Sequence, residues 1–196
     1  MSSHHFVREG QEPALIIVDA TSHELAEPLL EWVPLVVVVD TALEAVKSWG
    51  IKIDVVIQTT LEEETIHQLL SDQFPLQVIS GKPNDNSIAN ALDYCLSVKQ
   101  HSVNLMMDPD SDRFDLLEGY TSFTINVFSH TEKWSLCRGR FEKWMPAKSQ
   151  LSIRQVSRDQ KMVFEGLIFK GSQTESIHDG TIRIQSPALF WVGEPF

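Results

Sequence analysis

The feature that most constrains the fold is a series of five short apolar runs in the first half of the chain. The runs span residues 14–18, 35–39, 54–57, 76–79 and 103–107. Stretches with the spacing of amphipathic helices lie between them, at 41–49, 62–70 and 87–98. Continuous apolar runs without polar alternation are typical of strands buried on both faces. Their alternation with helices predicts an α/β fold, a doubly wound parallel sheet with helices on both faces.

The pattern changes from about Phe123 onward. Short strand-like segments follow one another with turn residues between them, and several alternate with a period of two. In Thr181-Ile182-Arg183-Ile184, for example, Ile182 and Ile184 share one face. This pattern predicts a C-terminal antiparallel β-sandwich. We therefore expect two domains, an α/β domain at 12–131 and a β-sandwich domain at 132–196.

Composition narrows the classes of protein to which the chain can belong. Its net charge of -11 disfavours nonspecific nucleic-acid binding, which needs clustered Lys and Arg. No apolar run approaches the roughly 20 residues of a membrane-spanning helix, and no secretory signal is recognisable. Cys95 and Cys137 lack the spacing of metal ligands and are expected to be buried thiols in a reducing compartment. We therefore expect a cytoplasmic protein that binds neither nucleic acid nor membranes.

Residues that follow the strands are the candidate site residues, because ligands of doubly wound sheets bind beyond the carboxyl ends of the strands. The segment Asp108-Pro109-Asp110-Ser111-Asp112-Arg113 follows the last apolar run. Three carboxylates at alternate positions in a loop can converge on a hard cation such as Mg²⁺. The segment is not an EF-hand, because Arg113 stands where the turn glycine belongs. A solvated acidic turn is the alternative interpretation.

The order of these pieces resembles the thiamine pyrophosphokinase family over almost the whole chain. Val36 to Asp40 resembles a family strand that ends in Asp-Gly. Gly50 to Glu62 resembles a family stretch in which Pro-Asp is followed by an apolar run and then by Gly-Asp-x-Asp-Ser. The remaining family motifs are an Asp-x-Thr-Asp helix start, an Arg-x-Asp-His segment and a Gly-Ser loop carrying a Ser-Asn pair. They resemble, in that order, residues 84–87, 112–116 and 171–177.

The resemblance implies a function. The family transfers diphosphate from ATP to thiamine with Mg²⁺, giving thiamine diphosphate and AMP, and its site forms across a homodimer. It therefore implies ATP or another nucleotide, a thiamine-like molecule, Mg²⁺ and a second copy of the chain as partners. The residues it marks are Asp40, Arg113 and Asp115 for the nucleotide and Ser176 for thiamine. The acidic loop adds Asp108, Asp110 and Asp112 as candidates for a nucleotide or metal site.

The chain also departs from the family motifs, chiefly by losing carboxylates. Thr59 and Leu61 replace the two aspartates of Gly-Asp-x-Asp-Ser, and Asn84 and Ser87 replace those of Asp-x-Thr-Asp. Diphosphate transfer depends on carboxylates that hold the cation bridging the phosphates. Two hypotheses remain open: an enzyme with a rearranged metal site, and a noncatalytic small-molecule binding or interaction protein on the same fold. An unrelated nucleotide-dependent enzyme on a similar sheet is a third.

Overall fold

The computed structural model describes residues 12–19, 22–81, 86–157, 161–170 and 173–196. The chain divides into two compact units, residues 1–108 with 122–124, and residues 109–121 with 125–196. In this division residues 109–121 and 125–131 go with the second unit, whereas the sequence-based limits include them in the first domain. Among the helices in these ranges, none is long and apolar enough to cross a membrane.

The first unit is built on a parallel sheet. Its strands are β1 (Ala14–Ile17), β2 (Val36–Val39), β3 (Val55–Gln58), β4 (Gln77–Ser80) and β5 (Ser102–Met106), and they lie in the order β5-β1-β2-β3-β4. Every pairing within this order is parallel. The helices are α1 (His23–Leu30), α2 (Leu43–Ser48), α3 (Glu63–Leu69) and α4 (Ser87–Ser97). The predicted α/β fold with a parallel sheet is therefore confirmed.

The strand order places the helices on both faces of this sheet. The chain steps outward from β1 to β4 through α1, α2 and α3, and then returns through α4 to β5 on the other side of β1. Because such crossovers are right-handed, α4 lies on the opposite face from the first three helices. Helix α4 begins where Asn86 accepts a hydrogen bond from the Ile88 backbone N–H, 2.9 Å away, as expected for an N-cap.

The second unit combines one helix with antiparallel strands. Its elements are α5 (Ser111–Glu118), β6 (Thr124–Phe128), β7 (Glu132–Met145), β8 (Gln150–Gln155), β9 (Val163–Glu165), β10 (Leu167–Lys170), β11 (Gln173–Ser176) and β12 (Gly180–Pro195). The pairings β6-β7, β7-β12, β12-β8, β12-β9, β8-β11 and β11-β10 are all antiparallel. Ile182 and Ile184 are both fully buried in its core, as their alternation predicts. The expected antiparallel C-terminal β region is therefore confirmed.

Candidate ligand site at the carboxyl edge of the parallel sheet

Polar residues follow three strands of the sheet at the same edge. Asp40 comes directly after β2, Thr59 after β3, and Asp108 two residues after the end of β5. The parallel registers, such as Val39 opposite Ile57, place these strand ends side by side. The prediction that Asp40, Thr59 and Asp108 lie near the carboxyl ends of the strands is therefore confirmed.

The strand order reverses between β1 and β5, and a second aspartate lies at that switch point. The backbone N–H groups of Val18 and Asp19 donate to the Met106 carbonyl at 3.1 and 3.2 Å. The Asp108 backbone N–H donates to Asp19 Oδ2 at 3.1 Å. Two aspartates thus lie together where doubly wound sheets bind ligands. Sequence reasoning missed Asp19, although it follows the first apolar run as Asp40 follows the second.

Asp40 is enclosed by the loop between β3 and α3. Its Oδ2 accepts from the backbone N–H groups of Thr59, Thr60 and Leu61, at 2.8, 2.6 and 2.8 Å. The Thr59 hydroxyl donates to Oδ1, and the Thr60 hydroxyl lies 3.3 Å from Oδ2. Because Asp40 is only 3% exposed, these donors replace its hydration shell. The carboxylate is an internal anchor for the loop.

The electrostatics of Asp40 follow from this enclosure. Burial alone would raise the pKa of its carboxyl group. The hydrogen bonds from the Thr59 hydroxyl and from the backbone N–H groups of Leu61, Thr60 and Thr59 outweigh burial, so the pKa lies below its ordinary value of 3.8. The group is therefore ionised at neutral pH and its charge is compensated by the loop.

The same loop is also held from its other side. Gln58 Nε2 donates to the Leu61 carbonyl at 2.7 Å, and Gln58 Oε1 accepts from the Ser80 hydroxyl at 2.7 Å. Thr59 and Leu61, which the sequence resemblance aligns with aspartates of the family motif, thus lie in a loop fixed by Asp40 and Gln58. Their backbones donate to a carboxylate, and their side chains supply no carboxylate oxygen.

Asp110, Asp112 and Arg113 all lie at the start of α5. Asp110 Oδ1 accepts from the Arg113 backbone N–H at 2.8 Å, so Asp110 is the N-cap of this helix. Asp112 lies in the first turn, where a negative charge suits the helix dipole. Arg113 Nε is 3.9 Å from Asp110 Oδ2. Within the described ranges, no three His, Cys, Asp or Glu residues group in a way that could hold a metal ion.

Asp115 lies one turn further along α5 and pairs with a strand of the second unit. Arg154 Nη2 donates to Asp115 Oδ1 at 2.5 Å, and Arg154 Nε lies 3.7 Å from Glu118 Oε1. The Arg154 guanidinium lies over the Phe114 ring, 5.0 Å from its centroid. Asp115 thus takes part in fastening α5 to β8.

Ser176 is buried at the end of β11. Its hydroxyl accepts from the Ser149 backbone N–H at 2.9 Å and donates to the Pro146 carbonyl at 2.5 Å. Both hydrogen-bonding roles of the hydroxyl are used in closing a turn of the second unit. The neighbouring Ile177 is exposed. Asn84 and Asp85 of the third motif, and Gly171 and Ser172 of the last, lie outside the described residues.

The strand order and the polar residues at its edge define a class: an α/β domain with a ligand-type switch point, followed by an antiparallel β domain. No family model and no curated protein match this chain. Solved structures do match. The thiamin pyrophosphokinase of Geobacillus thermodenitrificans has a TM-score of 0.71 at 16% identity, covering 93% of this chain and 97% of its own.

Two further solved structures agree. The thiamine pyrophosphokinase of Bacillus subtilis has a TM-score of 0.69 at 15% identity, over 92% of this chain and 98% of its own. The yeast thiamin pyrophosphokinase has a TM-score of 0.70 at 9% identity, over 95% and 87%. The fold of this chain is therefore that of the thiamine pyrophosphokinases, as the sequence resemblance implies.

The donor set of Asp40 and the β3–α3 loop does not fit the Mg²⁺ that this resemblance implies. Mg²⁺ prefers carboxylate and phosphate oxygens in near-octahedral geometry. In the β3–α3 loop, the two positions to which the resemblance assigns aspartates carry Thr59 and Leu61, and the buried Asp40 is already bound by five donors. The loop is arranged to bind an anion, its own Asp40, and a cation there would compete with those donors.

Proposed function

We propose that this chain is a noncatalytic relative of the thiamine pyrophosphokinases, which binds a small molecule on their fold without transferring diphosphate. The observation that carries the proposal is the enclosure of Asp40 by the backbone N–H groups of Thr59, Thr60 and Leu61. A carboxylate in this position is a structural anchor and has little capacity left for a metal ion.

This arrangement is unfavourable for an enzyme that transfers diphosphate. The protein's contribution to such a reaction is to position the phosphates and neutralise charge, largely through metal ions held by carboxylates. Threonine hydroxyls and a leucine side chain cannot supply that charge. The fold and the switch point are kept, whereas the metal ligands of the related motif are replaced.

The ligand that we propose is ATP, another nucleotide or a thiamine-like molecule, bound at the carboxyl edge of the sheet. Asp19 and Asp108 mark the switch point of the first unit. Arg113, in the second unit, keeps the phosphate-directed role that the resemblance implies, because its planar guanidinium suits phosphate. Asp110, Asp112, Asp115 and Ser176 act structurally, through the helix cap, the Arg154 pair and the turn described above. We further propose a cytoplasmic homodimer.

A second candidate, diphosphate transfer with a rearranged metal site, is favoured by one observation. Asp19 and Asp108 are joined through the Asp108 N–H, which brings two aspartates to the switch point. A nucleotide bound there could complete a Mg²⁺ site with its phosphates. In that case Asp108 would be essential for turnover.

One experiment separates the two candidates. AMP formation is measured with thiamine, ATP and Mg²⁺ in a coupled assay, beside calorimetric titration of ATP and of thiamine separately. We expect saturable binding of at least one ligand and no AMP above a blank without protein. AMP formation that is lost in Asp108→Asn would overturn the noncatalytic proposal in favour of the second candidate, and absence of all binding would overturn both.

A double variant tests the explanation itself. Thr59→Asp with Leu61→Asp returns two carboxylates, but it also removes the hydroxyl that donates to Asp40 and adds negative charge beside it. We expect the variant to melt at a lower temperature than the wild type and to regain stability when Mg²⁺ is added, because the cation relieves the repulsion. The wild type should show no such response. A wild-type melting temperature that rises equally with Mg²⁺ would contradict the explanation.

A further inference from the structure

A cavity of about 520 Å³ lies in the second unit, among strands that contribute nothing to the carboxyl edge of the parallel sheet. Residues of β7, of β12 and of the chain at and just before β9 line it. Both charged residues of this lining, Arg140 and Lys161, are basic. The chain as a whole has a net charge of -11, so a cavity with only basic charged residues is a local exception.

An irregularity in the pairing of β7 with β12 lies at this cavity. Arg140 pairs with Gln185, and Arg138 pairs with Leu189. Three residues of β12 therefore lie opposite Gly139, whose φ of 75° is a left-handed conformation that favours glycine. No atom beyond its own chain neighbours lies within 4 Å of the position that a Cβ would take there. Such bulges are over-represented beside functional sites, and this one leaves an open recess.

The charges around the cavity do not cancel. Arg140 Nη2 donates to Glu142 Oε2, which also lies 3.3 Å from Arg183 Nε. Arg183 Nη1 donates to Glu165 Oε2 at 3.0 Å. These four residues form a neutral network of two guanidinium groups and two carboxylates. Lys161 lies outside this network, and among the described residues its ammonium group has no hydrogen bond and no ion pair. It therefore gives the cavity an uncompensated positive charge.

Arg140 keeps donors for a ligand although it is paired. A guanidinium group has five N–H donors, and the hydrogen bond to Glu142 uses one of them. Arg138, two residues earlier on β7, adds further positive charge. Its Nη2 donates to the Thr121 carbonyl, and within the described ranges it has no carboxylate partner. The cavity thus combines a planar guanidinium with the unpaired ammonium group of Lys161.

We propose that this cavity binds a small organic phosphate. The phosphate group lies between Arg140 and Lys161, and a compact apolar body lies against Val163, which is 56% exposed, and Pro187. Phosphate suits the planar fork of an arginine, and charge-assisted hydrogen bonds favour it over a neutral group. The acidic remainder of the chain opposes an anion only weakly, because salt screens exposed charges beyond about 8–10 Å. The proposal does not rest on the proposed function, whose candidate site lies in the first unit.

The test uses phenyl phosphate, with inorganic phosphate, phenol and benzylamine as probes that each lack one of its features. Each is titrated at about pH 7.5, where a phosphate monoester carries nearly two negative charges. Backbone amide shifts of the full ¹⁵N-labelled chain are followed by NMR. We expect saturable shifts at Gly139, Arg140, Val163 and Gln185 with phenyl phosphate, and weaker binding at higher ionic strength. Inorganic phosphate and phenol should each bind at least about threefold more weakly, and benzylamine should not bind.

Lys161→Gln is the decisive variant, because Lys161 is exposed and its loss leaves no described residue without a partner. We expect this variant to bind phenyl phosphate at least about threefold more weakly, with phenol unchanged. Lys47→Gln, an exposed position on α2, removes the same charge from the first unit and should change neither affinity. Val163→Ser should weaken phenyl phosphate and leave inorganic phosphate unchanged, because it removes only an apolar wall.

Four results would overturn the proposal. Phenyl phosphate shifts that do not saturate would show that there is no site. Shifts confined to the carboxyl edge of the parallel sheet would show that this cavity is not the site and would leave the proposed function standing. Equal affinities for phenyl phosphate and either phenol or inorganic phosphate would remove the charge or the apolar body from the explanation. Equal weakening by Lys161→Gln and Lys47→Gln would show that the charge of the whole chain sets the affinity.

Discussion

At the scale of single residues, the environment of Asp40 decides what its carboxylate does. The resemblance to the thiamine pyrophosphokinases marks this position for nucleotide or metal binding. In the structure the carboxylate is buried and accepts from three consecutive backbone N–H groups and the Thr59 hydroxyl. Asp110, a candidate from the acidic loop, also uses its carboxylate internally, because it caps α5. In both residues the carboxylate accepts internal hydrogen bonds from the backbone.

Removing the Asp40 carboxylate should destabilise the first unit. In Asp40→Ala the loop donors lose their acceptor in a buried site, and we expect a loss of about 3 kcal/mol in the free energy of unfolding. Asp40→Asn should lose somewhat less, because one oxygen still accepts. Urea unfolding followed by circular dichroism measures both, with Glu44→Ala on the surface as control. A change below about 0.5 kcal/mol in Asp40→Ala would contradict the anchoring role.

The same anchor predicts a pH dependence. Because the pKa of Asp40 is lowered in the folded chain, its stabilisation is fully present above the ordinary value of 3.8. It is lost as the pH falls through the lower folded value, where the buried carboxylate takes up a proton. The difference in stability between the wild type and Asp40→Asn should therefore be constant from pH 7 to about pH 5 and shrink below pH 3.8. A difference that grows toward low pH would contradict this assignment.

At the scale of secondary structure elements, burial explains which strands the sequence predicts. The run 35–39 is clear because all four residues of β2 are buried on both faces. The run 76–79 corresponds to β4. The first and last residues of this strand are exposed, since β4 is the last strand in the parallel order. Strand β7 extends beyond the strand-like segment Trp134 to Cys137. Most of its continuation from Arg138 is exposed and is held by pairing with β12.

Helix α5 is fastened through aromatic contacts that its weakly apolar sequence does not reveal. Phe114 is buried, with its ring centroid 5.3 Å from that of Trp134 and 4.8 Å from that of Trp191. Trp191 Nε1 donates to Glu118 Oε1 at 3.0 Å. Together with Arg154, these contacts hold the helix in the second unit. The Arg-x-Asp segment, read from sequence as nucleotide-binding, thus lies on a helix whose packing it supports.

Truncating the aromatic anchor should cost far more than removing the exposed ion pair. We expect Phe114→Ala to destabilise the second unit by about 3 kcal/mol, because it leaves a cavity between two tryptophans. Asp115→Asn should cost less than about 1 kcal/mol, because the Asp115 side chain is 64% exposed. Thermal unfolding followed by tryptophan fluorescence measures both. Equal losses in the two variants would show that α5 is held by charge.

At the scale of the whole molecule, the arrangement of strands agrees with solved thiamine pyrophosphokinases over nearly all of the chain at identities of 9 to 16%. A fold can persist at such identity because a core tolerates substitution when volume and pattern are kept. Function is more sensitive, since it depends on particular oxygens at particular positions. The shared fold is therefore compatible with the noncatalytic function that we propose.

We expect the chain to form a homodimer in solution, as the resemblance implies. The second unit exposes Trp144 and Phe169, and β10, which carries Phe169, is the terminal strand of its antiparallel order. Light scattering after size exclusion should give about twice the chain mass of 22.2 kDa at tens of micromolar protein. Phe169→Glu should shift the mass toward one chain, whereas Trp32→Glu in the first unit should not. A single-chain mass for the wild type would refute the dimer.

The sequence by itself determined the periodic features: five buried parallel strands, the helices between them and an antiparallel C-terminal region. These features depend on patterns of burial that repeat along the chain, and a short stretch of sequence is enough to recognise each pattern. Only the tertiary structure decided the roles of the polar residues. The three N–H donors to Asp40 come from a loop about twenty residues further along, Asp19 meets Asp108 across 89 positions, and Lys52 reaches carbonyls more than twenty residues away. Whether an oxygen is free for a ligand depends on such long-range partners, which no local pattern encodes.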